Sequence, residues 1–117
     1  MSWLYVLSSS PYGSARFNEA IDTLLVAGVF EKPTRVLLID DAVQVLRDHQ
    51  NAAQLGAKTA GKVITALPDY EIDEIYVCSD SAKRADLQPP LIGLPVRFVD
   101  LEEQATLIAE SAVVLTD

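Results

Sequence analysis

A chain of 117 residues, half of them apolar, suffices for one packed domain spanning 1–117, leaves no room for a second, and is too apolar for a disordered segment. Its formal net charge of −8 argues against direct contact with a nucleic-acid backbone, where affinity comes from Lys and Arg displacing counterions. One cysteine, Cys78, and one histidine, His49, exclude an internal disulfide and leave no Cys/His cluster to hold a structural metal.

The opening MSWLYVLSSSPYGS is apolar for only about six residues and carries no basic leader. That is too short for a signal peptide or a membrane span, so a cytoplasmic location without membrane contact is expected. Within it, WLYVLSS (Trp3–Ser9) has the composition of a buried strand, and SPYGS reads as a turn. The segment ARFNEAIDTLLVAGVF then puts Phe17, Ile21, Leu24, Leu25 and Gly28 on one side at helical spacing, and Lys32-Pro33 ends it. Gly28 fits either close backbone packing or fraying at the helix end.

TRVLLID (Thr34–Asp40) is a second strand, apolar through its middle as strands covered on both faces are. DAVQVLRDH reads as a short amphipathic helix with Val43, Val45 and Leu46 inward. From Ala52 to Leu67 the chain is rich in Ala, Lys and Leu and suits a helix, although Gly56 and Gly61 weaken it, and Pro68-Asp69 closes it. EIYVCS (Glu74–Ser79) is a third strand and DSAKRADL a short helix; LPVRFVD (Leu94–Asp100) is a fourth strand. LEEQATLIAES is the last helix, with Glu102 and Glu103 in its first turn where the dipole favours them, and AVVLT (Ala112–Thr116) a fifth strand. This alternation predicts an α/β fold: a mostly parallel five-stranded sheet between helical layers. Ligands of such sheets gather beyond the carboxyl ends of the strands, which puts SSSPYGS, DDA, CSDSAKR and the tail after Phe98 on one functional edge.

Cys78 stands near the end of the third strand with a helix starting just beyond it. Free helix N–H groups favour a thiolate there, with Lys83 and Arg84 about a turn away, while Asp80 opposes it. Such a thiolate can accept and pass on sulfane sulfur as a persulfide. A buried strand cysteine acting as a small hydrophobe explains the same pattern. The loop Ser8–Ser14 offers N–H groups to an anion, yet it is neither G-x-x-x-x-G-K-[ST] nor G-x-G-x-x-G, and N-capping by Ser14 with Gly13 easing the turn also accounts for it. Asp40 and Asp41 suggest a receiver-type acidic pocket, which lacks its acidic pair after the first strand, a metal site, or simply a helix N-cap. His49 lies in a polar stretch and reads as a surface residue.

Several segments together resemble the DsrE/DsrF/DsrH family of small sulfur-relay proteins, its TusC/DsrF branch most closely. SSSPYGSARFNEAIDTLL is similar to the branch's strand, Ser/Ala-Pro-x-Gly turn and helix with a GLDALL-like stretch, matched by AIDTLL. VLLIDDAVQVL resembles its FFI-x-D-G-V-x-Q-L segment, with Asp41 and Val43 matching and Ala42 in place of the usual glycine. DYEIDEIYVCSDSAKRADL is similar to YDI-x-x-x-x-VC-x-x-S-x-x-x-RGL, with Cys78, Ser81 and Leu87 in register, and SAVVLTD to the closing Y-D-V-V-L.

The resemblance implies a three-layer α/β/α sandwich. It also implies a heterohexamer built from a pair each of this chain, a TusB/DsrH-like subunit and a TusD/DsrE-like subunit. Such complexes relay persulfide sulfur to a TusE/DsrC-like carrier, either toward 2-thiouridine at the tRNA wobble position or in sulfur oxidation. The principal sulfur-carrying cysteine of the family belongs to the TusD/DsrE-like subunit. Cys78 therefore holds the family's sulfur-handling position in a subunit expected to serve structure and assembly, with an auxiliary persulfide role left open. No cofactor, metal or direct nucleic-acid contact is expected. Two other readings stand beside it: a homo-oligomeric persulfide carrier using Cys78, and a small flavodoxin-like or receiver-like binding domain.

Overall fold

A computed structural model describes residues 2–11, 15–29, 33–47, 64–72, 74–88 and 91–117. Five strands, β1 (Trp3–Leu7), β2 (Thr34–Leu38), β3 (Ile75–Cys78), β4 (Val96–Val99) and β5 (Val113–Thr116), form one sheet in the order β4-β3-β2-β1-β5. Every pairing is parallel. All five strands foreseen in the sequence are present, each shorter by one to three residues at its ends. Burial follows place in the order: β2 is buried throughout and β1 at all but its first residue, whereas the outer strands β4 and β5 are largely half-buried or exposed.

Helix α1 (Arg16–Val29) covers one face of the sheet. Its Phe17, Ala20, Ile21 and Leu24 are buried, following the periodicity of the sequence. They pack with Tyr5, Leu7, Val36, Leu38, Ile75 and Val77, the residues of alternate parity that three strands turn to that face. Ile64, Leu67 and Ile72 join the same core, as does a 3₁₀ helix over Asp40–Leu46.

That 3₁₀ helix replaces the α-helix expected there. Ala42, Val43, Val45 and Leu46 are all buried. At three residues per turn the pairs Ala42/Val45 and Val43/Leu46 eclipse and face the core together, and two β-branched valines disfavour the wider α turn. Nor do Asp40 or Asp41 cap it: the N-cap is Ile39, with no side-chain cap hydrogen bond. Of the helix expected over 52–67 only the end lies within the described residues, where a 3₁₀ turn, Leu67–Tyr70, follows; Gly56, Gly61 and His49 lie outside them.

The second face carries α3 (Leu101–Glu110), after the short α2 (Ser79–Arg84). Asp100 and Glu103 form a reciprocal capping box at its start. Leu107 packs on Leu4, Val6, Leu37 and Val99. Arg35 of β2, 8% exposed, reaches the other end of α3, donating to the Leu107 carbonyl and the Ser111 hydroxyl and pairing with Glu110 at 3.6 Å. A cation from the sheet thus serves a helix whose last turn has no basic residue. No helix among the described residues is long and apolar enough to cross a membrane.

Candidate functional site

Parallel strands bring Leu7, Leu38, Cys78 and Val99 to one edge of the sheet, where the loops singled out in the sequence meet. Cys78 ends β3 and is the N-cap of α2, its backbone extended at φ −65°, ψ 118°. Its Sγ accepts a hydrogen bond from the Ser81 N–H at 3.4 Å, and only 3% of the residue is exposed. The small thiol fills the role that Ser or Asp more often takes at such a turn.

Burial pushes the Cys78 thiol up, yet hydrogen bonds from the Ser81 hydroxyl and N–H, the Gln104 amide and the Asp80 N–H outweigh it, so the thiol lies below its ordinary value. Ser81 is buried, and its Oγ accepts from the Asp40 N–H at 2.9 Å and from Arg84 Nη2 at 3.2 Å. With both acceptor positions used, the hydroxyl proton is left to face the sulfur. Gln104 comes from α3, is 8% exposed, and its Nε2 also donates to the carbonyl of Val99, the residue paired with Cys78 across β3 and β4.

The sequence pointed to free helix N–H groups, with Lys83 and Arg84 as nearby cations; the Ser81 and Asp80 N–H groups do reach the sulfur, whereas the cations do not. Arg84 is turned to Asp40 and Ser81, Lys83 is exposed, and Asp80 acts on the sulfur through its N–H. Such a site can hold a thiolate in place. It gives a donor molecule almost no path to the sulfur while α2 and α3 stay packed.

Beyond Ser81 lies a cleft of about 330 Å³ lined by Asp40, Asp41, Gln44, Ser81, Arg84 and Ala85. Asp40 has a left-handed backbone, φ 50°, which Asp tolerates better than most residues, and its carboxylate meets Arg84 at 3.4 Å. Among the described residues no three His, Cys, Asp or Glu side chains cluster as a metal site would need.

At the end of β1 the loop N–H groups do bind an anion, and that anion belongs to the chain itself. Asp117 follows β5 and accepts from the Ser8 N–H, the Ser8 hydroxyl and the Ser9 N–H, each at 2.9 Å. Burial raises its pKa, but the N–H and side-chain hydrogen bonds of Ser8 and Ser9 outweigh it, and the carboxylate stays below its ordinary value. Tyr12, Gly13 and the expected N-cap Ser14 lie outside the described residues. Gln104 and Asp117 were not apparent in the sequence, since nothing local marks a residue on a distant helix or strand that returns to this edge.

Comparison with known proteins gives the family and the fold. The model of the DsrE/DsrF-like family matches residues 1–116. The chain is 30% identical over 109 residues to the intracellular sulfur oxidation protein DsrF of Allochromatium vinosum, covering 92% of this chain and 80% of that protein. It is 29% identical to a TusC homolog of Pseudomonas aeruginosa over 98% of this chain and 97% of that one. The crystal structure of the ychN protein from E. coli superposes with a TM-score of 0.75 at 22% identity over the whole of both chains, a likeness of fold. This chain belongs to the DsrE/DsrF-like family.

Proposed function

We propose that this chain is a TusC/DsrF-like, non-carrier subunit of a cytoplasmic sulfurtransferase complex. TusB/DsrH-like and TusD/DsrE-like subunits are its partners in a heterohexamer, and a TusE/DsrC-like carrier receives the sulfur. Membership of the family and relatives named TusC and DsrF support a place in sulfur relay. The burial of Cys78 carries the assignment of role. A relay cysteine has to meet a donor and then an acceptor, and a thiol 3% exposed that caps a helix is built to stay where it is.

Persulfide transfer toward tRNA wobble 2-thiouridine is the process we assign, with tRNA met by other members of the relay, in keeping with a net charge of −8. The relative named for intracellular sulfur oxidation supports a second reading, a subunit of a sulfur-oxidation complex.

Intact-mass analysis after incubation with a cysteine desulfurase, cysteine and the co-expressed partners tests the role, with Cys78→Ser in parallel. The expected result is a sulfur adduct on a partner, none on this chain, and transfer to the carrier intact in the mutant. An adduct on this chain that vanishes in the mutant, with transfer lost, would make Cys78 a working relay site and overturn the proposal.

A further inference from the structure

On the functional edge, the donors of the Ser8–Ser9 turn are already engaged by a carboxylate of the chain itself. Both oxygens of Asp117 are used: Oδ1 takes the Ser8 N–H and hydroxyl, Oδ2 the Ser9 N–H. The donors are neutral N–H and hydroxyl groups of Ser8 and Ser9, as in backbone nests that hold free oxyanions. The topology adds an independent reason. The chain leaves β1 for β2 on one side and arrives at β5 on the other, so the turn sits at the reversal of strand order, where open α/β sheets bind ligands.

The occupant is lightly tethered. Asp117 is partly exposed and continues the ladder by a single backbone bond, its N–H to the Val6 carbonyl at 3.3 Å. It follows an outer strand whose residues alternate between half-buried and exposed. Burial, and after it the charge of Asp117, push the Tyr5 hydroxyl of β1 above its ordinary value. Swinging Asp117 into water uncovers the donors and disturbs no core residue.

We propose that the Ser8–Ser9 turn is an oxyanion-binding site that the Asp117 carboxylate fills, and that a small free oxyanion takes the same donors when the carboxylate swings out. This site is separate from the sulfur reading. Cys78 lies two strands away across β2, at about 10 Å by strand spacing, so either conclusion can fail without the other.

The test follows the Ser8 and Ser9 amide resonances of the full chain while inorganic phosphate, sulfate or acetate is titrated in, with chloride holding ionic strength constant. Asp117→Ala is compared with the natural sequence. Expected are saturable shifts of both amides in the variant. In the natural chain binding is weaker by at least about tenfold, because a self-filled site is open in only a minor fraction of molecules. Acetate against phosphate and sulfate shows whether the site prefers a planar or a tetrahedral ligand. If neither amide moves in the variant with any of the three anions, the proposal fails and the carboxylate is a turn cap only. Identical titrations of the two proteins would equally refute it. Should Asp117→Ala not fold, Asp117→Asn keeps the side-chain volume and removes the charge, and the same two results decide.

Discussion

Around Cys78, one sulfur gathers donors from two helices: the Asp80 and Ser81 N–H groups and the Ser81 hydroxyl at the start of α2, and Gln104 of α3. Gln104→Leu removes the contribution from α3. The thiol is expected to move up toward its ordinary value, read from the pH profile of iodoacetamide labelling, while the unpaired Val99 carbonyl costs roughly 1–3 kcal/mol in denaturant unfolding. A profile identical to that of the natural chain would mean the amide serves the Val99 carbonyl alone. For Asp117 the folded value lies below the unfolded one. Its contribution to stability is therefore complete above an unfolded value of about 3.9 and is lost as pH falls through the lower folded value. The thermal-midpoint gap between the natural chain and Asp117→Asn should hold at neutral pH and close below about pH 4; a gap that persists in acid would assign it to packing. Cys78 at a strand end was legible because strand composition and the following Ser-Asp-Ser are local signals. Gln104 and Asp117 were not, because their roles exist only once strand order and the seat of α3 are known.

At the level of elements, α3 is held at both ends by polar contacts and in its middle by two buried residues, Gln104 and Leu107. Arg35 at its far end has an Nε without a partner and a carboxylate at 3.6 Å that is 60% exposed, which is thin compensation for a buried cation. Arg35→Met, which keeps the volume and removes the charge, is expected to change stability by less than about 1 kcal/mol, whereas Arg35→Ala should cost about 2–3 kcal/mol through the cavity it leaves. Urea unfolding of both separates the cases: equal losses would show that the charge, not the volume, holds α3. The strands were readable as short apolar runs bounded by polar and turn residues, and the helices by an apolar period of about 3.6. The 3₁₀ winding of Asp40–Leu46 was not, since Ala-Val-x-Val-Leu suits either helix and only contact with the core decides.

Over the whole molecule, cover on the sheet is unequal. One face lies beneath α1, the 3₁₀ helix and residues 64–72, while the other receives α3. Leu101 and Ile108, one heptad apart on α3, are 64% and 47% exposed, and Val114 of β5 is 39% exposed. For a subunit of a larger assembly these are the residues to test. Leu101→Asp with Ile108→Asp should leave the isolated chain within about 0.5 kcal/mol of its stability and reduce its co-purification with TusB/DsrH-like and TusD/DsrE-like partners. Full recovery of the complex would place the partners elsewhere. The strand order also has a kinetic consequence. Because Trp3 pairs with Val113, the second edge of β1 stays bare until a loop of over a hundred residues closes, and such closure comes late on the folding path. Weakening that last ladder, by Val114→Ala for instance, should accelerate unfolding in stopped-flow measurements and leave the folding rate nearly unchanged. The strand that completes the sheet is then also the first to let go.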